Sequence, residues 1–530
     1  MRAHTEPLHL YKSARLPAHW LAMLFALLTG GLAGCSSLPS LTTRPESMAL
    51  GQDEAQNTRL GKALQPLVSS HPGESGIYPL DNPRDAFAAR VLLANAAERT
   101  LDVQYYIWRG DTTGTLLMQA LLDAAERGVR VRLLLDDNGT SGIDRELAAL
   151  DSHANIEVRL FNPFRTRSAK WTGFITDFKR SNRRMHNKSF TADNRASIIG
   201  GRNVGDAYFG ATDGVLFADL DVISVGPVVS DVSSSFDRYW ASESAYAVND
   251  FLPQADAAER EAIGAAATSI EHNPKANAYV TALKNLPFIS KLLDGELELI
   301  WANTRMVSDD PAKGLGKAAP DGLLINRISN ILVAPTHHVE LVSPYFVPTK
   351  VGVDAFSKLS QSGVKVRVLT NAFEATDVPA VHAGYAKSRK DLLNAGIEIY
   401  EVRRLAPTSK QIKGRNSFGS NGSSLHAKTF AVDGTRVFVG SFNFDPRSAN
   451  LNTELGFVID SPHLAQRMQN AFDHDLRLFA YQLKLDEQGN IIWLEQDADR
   501  QIIHTKEPGS SLWSRSMVGF LSILPIDWML

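Results

Sequence analysis

Cysteine is almost missing from this 530-residue chain: Cys35 stands alone, so no intramolecular disulfide can staple the fold. Net charge is almost missing as well. The 55 Lys and Arg residues offset 58 Asp and Glu to leave a formal −3, which gives no general pull toward nucleic acid. Any attraction to phosphates must therefore be local. Long apolar runs are scarce too. The run from Trp20 to Gly34 is about 15 residues, short of the roughly 20 needed to cross a bilayer. Preceded by Arg2, Lys12 and Arg15, it fits the core of a signal peptide spanning 1–34. No cluster with metal-ligand spacing stands out, and the neighbours His337 and His338 would point to opposite faces of a strand. The expected chemistry uses no metal and no other cofactor.

What is present is one pattern written twice. Met185-His186-Asn187-Lys188-Ser189-Phe190-Thr191-Ala192-Asp193 leads to Ile198-Ile199-Gly200-Gly201-Arg202-Asn203, and Leu425-His426-Ala427-Lys428-Thr429-Phe430-Ala431-Val432-Asp433 leads to Val439-Gly440-Ser441-Phe442-Asn443. Both read His-x-Lys-x4-Asp, then two apolar residues, Gly, and an Asn three further on. With fourteen histidines in the chain, two chance matches have odds of roughly a thousandth on average composition, so the motif is treated as chemical. The alternation is strand-like and Asp433-Gly434 is a hairpin turn signal. Residues two apart on a strand share a face, so each motif aims an imidazole and an ammonium the same way.

Displacement at a phosphodiester needs a nucleophile on one side of phosphorus and an acid for the leaving alkoxide on the other. A single half offers one imidazole, so the two motifs predict one site at a pseudo-twofold interface. Lys188 and Lys428, with Asn203, Asn443 and Ser441, would neutralise the remaining phosphoryl oxygens. Asp193 and Asp433 complete the motifs and are grouped with the catalytic residues, although turn formation accounts for them equally well.

The doubled motif resembles that of the phospholipase D superfamily. The surrounding text, Asn182-Arg183-Arg184-Met185-His186-Asn187-Lys188 and Ser343-Pro344-Tyr345-Phe346-Val347-Pro348, is similar to its cardiolipin synthase C-type bacterial members. The resemblance covers roughly residues 75 to 530. It implies an α/β fold made of a duplicated unit, two mixed sheets flanked by helices with one active site between them. It also implies that downstream acids hold the histidines, for which Asp219 and Glu454 are the matching positions, with Asp221 a rival to Asp219. His186 would be the nucleophile and His426 the acid and base. Ser308-Asp309-Asp310-Pro311 resembles a segment of the family's own to which no chemistry is assigned. Leu32-Ala33-Gly34-Cys35 resembles a bacterial lipobox, which implies lipidation of Cys35. Ser36 then favours the outer membrane, facing the periplasm.

Along the chain, residues 35–82 read as a tether and lead-in loop, 83–245 as the first domain, 246–335 as a connector with helical patterns over 253–270 and 276–286, and 336–530 as the second domain with an apolar tail. Gly128 to Leu134 is matched by Gly363 to Leu369, and the two motif histidines lie 240 residues apart, so the copies keep register. Basic loops precede each motif, with Lys179, Arg180, Arg183 and Arg184 in the first and Lys410, Lys413 and Arg415 in the second. They suit either a solvated face or anionic headgroups. The tail from 517 to 530 is broken by Pro525 and suits packing on the body or a membrane interface. Membrane phospholipids are the expected partners and nucleic acid is not; the oligomeric state is left open. Three catalytic readings follow: phosphatidyl transfer giving cardiolipin, phospholipase D hydrolysis giving phosphatidic acid, and phosphodiesterase action on nucleic acid. The slightly acidic, exported chain favours the first two over the third.

Overall fold

The strands Thr100–Ile107 and Arg130–Gly139 are parallel neighbours, joined through the helix Thr112–Glu126. Both are covered on their two faces, which is why Val131 to Leu135 carry an almost unbroken apolar run. The chain leaves the helix through Gly128 at φ 93°, a left-handed conformation that a residue without Cβ adopts at little cost. Gly363 at φ 90° does the same after the helix Thr349–Gln361, which joins the parallel strands His338–Val342 and Lys365–Asn371.

The computed structural model describes residues 38–211, 217–273, 276, 279, 281, 286–331, 334–404, 424–497, 500–511 and 513. Cys35, the basic residues Lys410, Lys413 and Arg415, and the tail from 517 onward lie outside the described residues. From Leu41 onward the chain forms one unit. It holds two mixed sheets flanked by helices. The first runs Ile300–Ala302, Ser75–Leu80, Asp221–Val225, Ala196–Gly200, Ser189–Ala192, Thr100–Ile107, Arg130–Gly139, Ile156–Phe161, Ala245–Ala247. The second runs Thr304–Ser308, Leu455–Ile459, Arg436–Gly440, Lys428–Val432, His338–Val342, Lys365–Asn371, Glu398–Val402, Ala480–Leu485, Ile491–Asp497, Arg500–His504. From Ser75–Leu80 to Ala245–Ala247 and from Thr304–Ser308 to Ala480–Leu485 the two orders correspond strand for strand.

The halves meet through apolar side chains from both sheets. Ile77, Ile199 and Val222 of the first share one buried cluster with Val342, Leu369, Val437, Val439, Leu455 and Phe457 of the second. Withdrawing such surfaces from water, at about 25 cal/mol per Å2, makes the pair of sheets one cooperative core.

Three sequence expectations change here. The stretch taken as a lead-in loop contains the helices Gln52–Gln56 and Arg59–Ser70 and the strand Ser75–Leu80. Pro66 inside the second helix and Pro79 inside the strand disguise both patterns. Pro79 is tolerated because the outer strand Ile300–Ala302 pairs only as far as Ile77. The connector is likewise part of the sheets, giving Ile300–Ala302 to the first and Thr304–Ser308 to the second. Its helix Ala257–Glu271 starts with a capping box from Asp256 and Glu259.

Asp193 and Asp433, grouped with the catalytic residues by sequence, belong to the hairpins instead. Both sit in left-handed turns, at φ 51° and 52°. Asp193 accepts the backbone N–H groups of Glu98, Arg99 and Thr100, and Asp433 those of Thr336, His337 and His338. Each carboxylate thus pins the start of the neighbouring strand, roughly 20 Å of extended chain away from its motif histidine. Asp193 is fully buried. Asp193→Ala should therefore cost about 2 kcal/mol by leaving the buried Thr100 amide and the half-buried amides of Glu98 and Arg99 without their partner, read as a lower denaturant midpoint at constant slope. An unchanged midpoint would remove the structural role.

Candidate active site

Each catalytic histidine is held in place by the other half of the molecule. The His186 N–H donates to the Thr453 carbonyl at 2.9 Å and the Thr453 N–H to the Arg184 carbonyl at 2.9 Å. In the second copy the His426 N–H donates to the Ala218 carbonyl at 2.7 Å, beside the short parallel pair of Ser424–Leu425 with Phe217–Ala218. The residue after each of these partners is an acid, and strand alternation turns its side chain toward the histidine. His186 Nδ1 lies 2.8 Å from Glu454 Oε2, and His426 Nδ1 2.5 Å from Asp219 Oδ2. The acids thus cross between the halves. Asp221, the rival to Asp219, is occupied by Arg90 at 2.7 Å and Arg202 at 3.4 Å.

The two acids have different surroundings. Glu454 accepts the Ser441 hydroxyl at 2.5 Å and the Ser448 hydroxyl at 2.8 Å. Burial nevertheless pushes its pKa up to about 7. Asp219 is equally buried, yet His426 and Lys428 overcome that burial and hold it far below the usual carboxylate range. It also leaves no room beside Gly201. A Cβ there would come within 2.0 Å of Asp219 Oδ1, whereas the second half carries Ser441 at the same place.

All four bases are weakened. Burial, then repulsion from Lys188 and Lys428, drives His186 well below its ordinary value. Burial and Lys428 lower His426, with Asp219 opposing them. Burial brings Lys428 down to about 8 and Lys188 well below its normal range. The ammonium of Lys188 donates to the His186 carbonyl at 2.5 Å, and that of Lys428 to the His426 carbonyl. Asn203 accepts the Ile107 N–H at 3.1 Å, and its buried NH2 has no hydrogen-bond partner among the described residues. The Asn443 side-chain carbonyl is buried without a partner among the described residues. Four confined bases, with the unpaired NH2 donor of Asn203 beside them, form a receptor for an anion.

Several neighbours have no counterpart in the sequence reading. Tyr106 stands edge-on to His186 with ring centres 5.0 Å apart, and Tyr208 and Phe217 flank His426 at 5.3 and 5.0 Å. Asp309, from the segment without assigned chemistry, holds Glu454 from behind. Its Oδ2 accepts the Glu454 N–H at 2.8 Å and the Lys313 ammonium at 2.9 Å, while its own N–H donates to the Glu454 carbonyl. Burial raises Asp309 to about 6. Its signal was the resemblance of Ser308 to Pro311. The basic loop ahead of His186 is mostly structural. Arg184 is buried on Asp136 and on the Phe161 and Asn162 carbonyls, Arg183 reaches the Asn450 carbonyl, and Arg180 pairs with Asp177.

Anion binding should take up protons, because a negative charge between the lysines restores their ordinary basicity. With Lys428 at about 8, sulfate binding at pH 8 should take up about half a proton or more. Calorimetry in buffers of different ionisation enthalpy measures this. Lys428→Met should lower the uptake, leaving the share that Lys188 takes, and binding with no uptake or with release in the parent would overturn the charge picture.

The geometry can be set beside known proteins. The family model described as "Cardiolipin synthase, PLD-like domain" matches the chain twice, over residues 91–240 and 328–476. Cardiolipin synthase C of Escherichia coli is 51% identical over 89% of this chain and 100% of its own length. A cardiolipin synthase of Oceanobacillus iheyensis is 27% identical over 72% of this chain and 64% of its own. Among solved structures, phosphatidylserine synthase from Haemophilus influenzae shares the fold with a TM-score of 0.55, at 12% identity over 89% of this chain and all of that one. The two copies of one domain have their match in that doubled family pattern, and the chain belongs to the PLD-like cardiolipin synthase family.

Proposed function

We propose that this protein is a phosphatidyltransferase that makes cardiolipin, passing a phosphatidyl group from one phospholipid to the hydroxyl of phosphatidylglycerol. The observation that carries the reading is the crossed pair of histidine–acid contacts, which supplies two imidazoles with unequal tendencies to hold a proton. Glu454 near 7 and a strongly depressed His186 share one proton at Nδ1. That leaves Nε2 of His186 as a free lone pair. Asp219 is firmly ionised and offsets part of the lowering that burial and Lys428 impose on His426, so His426 holds a proton more readily than His186 does. His186 is then suited to attack and His426 to donate.

In the first step Nε2 of His186 forms a bond to phosphorus while the bond to the leaving alkoxide breaks, and His426 gives that oxygen its proton. Lys188 and Lys428, with Asn203 and Asn443, stabilise the non-bridging oxygens. In the second step His426 takes the proton of the acceptor hydroxyl, the new oxygen–phosphorus bond forms, and the phosphorus–nitrogen bond to His186 breaks. Water in place of the lipid hydroxyl would give phosphatidic acid by the same route. Lipidation at Cys35 would keep the enzyme on the envelope face that carries its substrate. Fatty-acid labelling lost in Cys35→Ser supports that anchor, and equal labelling of the variant removes it.

Mass spectrometry of the products on vesicles of phosphatidylglycerol and phosphatidylethanolamine tests the transfer. Cardiolipin is expected; phosphatidic acid alone would make the protein a hydrolase, and cleavage of nucleic acid without lipid turnover would overturn both. The division of labour is read with a nitrophenyl phosphodiester, whose leaving group needs no acid. His426→Ala should release a stoichiometric burst of nitrophenolate and then stall, while His186→Ala releases none. The reverse pattern swaps the roles. Near-parental phospholipid turnover in either variant would sink the two-histidine mechanism.

A further inference from the structure

We propose that the segment 165–179 is a docking surface for an anionic phospholipid bilayer. The proposal rests on the reading of the site as one that acts on phospholipids. Ten large apolar residues are well exposed among the described residues, and three of them fall within five positions: Trp171 at 65%, Phe174 at 36% and Ile175 at 73%. They lie on the short helical turns Arg167–Thr172 and Gly173–Thr176. A soluble face seldom offers such a cluster to water without a partner. Arg165 and Lys179 are exposed at its two ends, and the acid between them, Asp177, is neutralised by Arg180 at 2.6 Å. Apolar and aromatic side chains bracketed by exposed cations match the interface of an anionic bilayer, in which rings reach the acyl boundary while cations meet headgroup phosphates. The same charges would serve no purpose against a plain apolar partner.

The surface is held rigidly and close to the chemistry. Arg167 pairs with Asp137 and Asp144. The Lys170 ammonium donates to the Asp137 carbonyl at 2.6 Å and to the Thr140 hydroxyl at 3.1 Å. Phe174 packs on Phe164, with ring centres 5.5 Å apart, and the Phe164 N–H donates to Asp137 at 2.6 Å. Asp137 belongs to the strand Arg130–Gly139. On that strand Asp136 accepts the Met185 N–H at 2.7 Å, and Asn138 reaches the Tyr106 hydroxyl at 3.5 Å, beside His186. One strand end therefore anchors both the apolar patch and the frame of the nucleophile. A bilayer seated on Trp171 and Ile175 would present headgroups at the rim of the site, with no need to lift a lipid out of the membrane.

The test uses the full-length protein on vesicles of phosphatidylethanolamine and phosphatidylglycerol carrying brominated acyl chains. Bromine quenches only tryptophans that enter the lipid, so the quenching should fall in Trp171→Phe. Trp171→Ser combined with Ile175→Ser should raise the KM for vesicle lipid about tenfold or more and leave turnover of a dissolved nitrophenyl phosphodiester within about twofold. The quenching of Trp171 is local, so an anchor elsewhere in the chain does not mask it, and the vesicle KM is compared on protein carrying Cys35→Ser in both parent and variant. Equal quenching in Trp171→Phe and the parent, or an unchanged vesicle KM in the double variant, would overturn the proposal. So would a change in particle size in solution with no vesicle effect, which would mean that a second copy covers the patch. Cardiolipin formation with Trp171 unquenched removes the docking surface and spares the function; quenching without lipid product does the reverse.

Discussion

Everything at the centre of this protein depends on two hydrogen bonds that cross between the halves, His186 to Glu454 and His426 to Asp219. An imidazole is useful only when its tautomer is fixed, and here the group that fixes it comes from the opposite domain. A half on its own would have a histidine without an acid and an acid without a histidine. The apolar contact between the sheets is thus part of the catalytic apparatus, because it sets the separation at which a carboxylate can reach across. Pairing of Leu425 with Ala218 and of Met185 with Thr453 sets the register on either side.

Duplication would give two equal sites of charge; divergence has made them unequal. In one copy the acid is a glutamate whose extra methylene leaves room for Ser441 beneath it, and Ser448 and Asp309 hold it further. In the other it is an aspartate pressed against Gly201, where a side chain of any size is excluded. The long acid is buried among neutral hydroxyls and keeps a proton easily. The short one faces Lys428 and stays ionised. One symmetric scaffold thus presents a nucleophile on one side of phosphorus and a proton on the other.

Much of this was legible in the sequence because it is written in local patterns. The strand–helix–strand units, the glycines that end their helices and the two His-x-Lys motifs each need only a few neighbouring residues to be read. Duplication raised the signal further, since Gly128 and Gly363 confirm each other. Other features were hidden for physical reasons. That Glu454 serves His186 across 268 positions is a property of packing between halves, and no local period records it. Asp193 and Asp433 were overread because they sit in the motif, although a motif preserves what the hairpin needs along with what the reaction needs. Ser75–Leu80 and the helix before it were missed because Pro79 and Pro66 break the expected pattern at positions where the missing donor does no harm. Asp309 supplies a second-layer hydrogen bond, and such support shows no residue type that by itself announces chemistry.

The receptor for phosphate is also a place where the fold holds charge at a disadvantage. Two ammoniums and two imidazoles share a confined space, and burial, with their mutual repulsion added, pulls each base below its ordinary value. Hydrophobic residues of the same volume would pack without that penalty. A phosphodiester monoanion entering between Lys188 and Lys428 reverses the repulsion, and the charge that accumulates on its oxygens during displacement reverses it further. The site therefore gains more from the transition state than from the bound substrate, which is the condition for catalysis rather than mere binding.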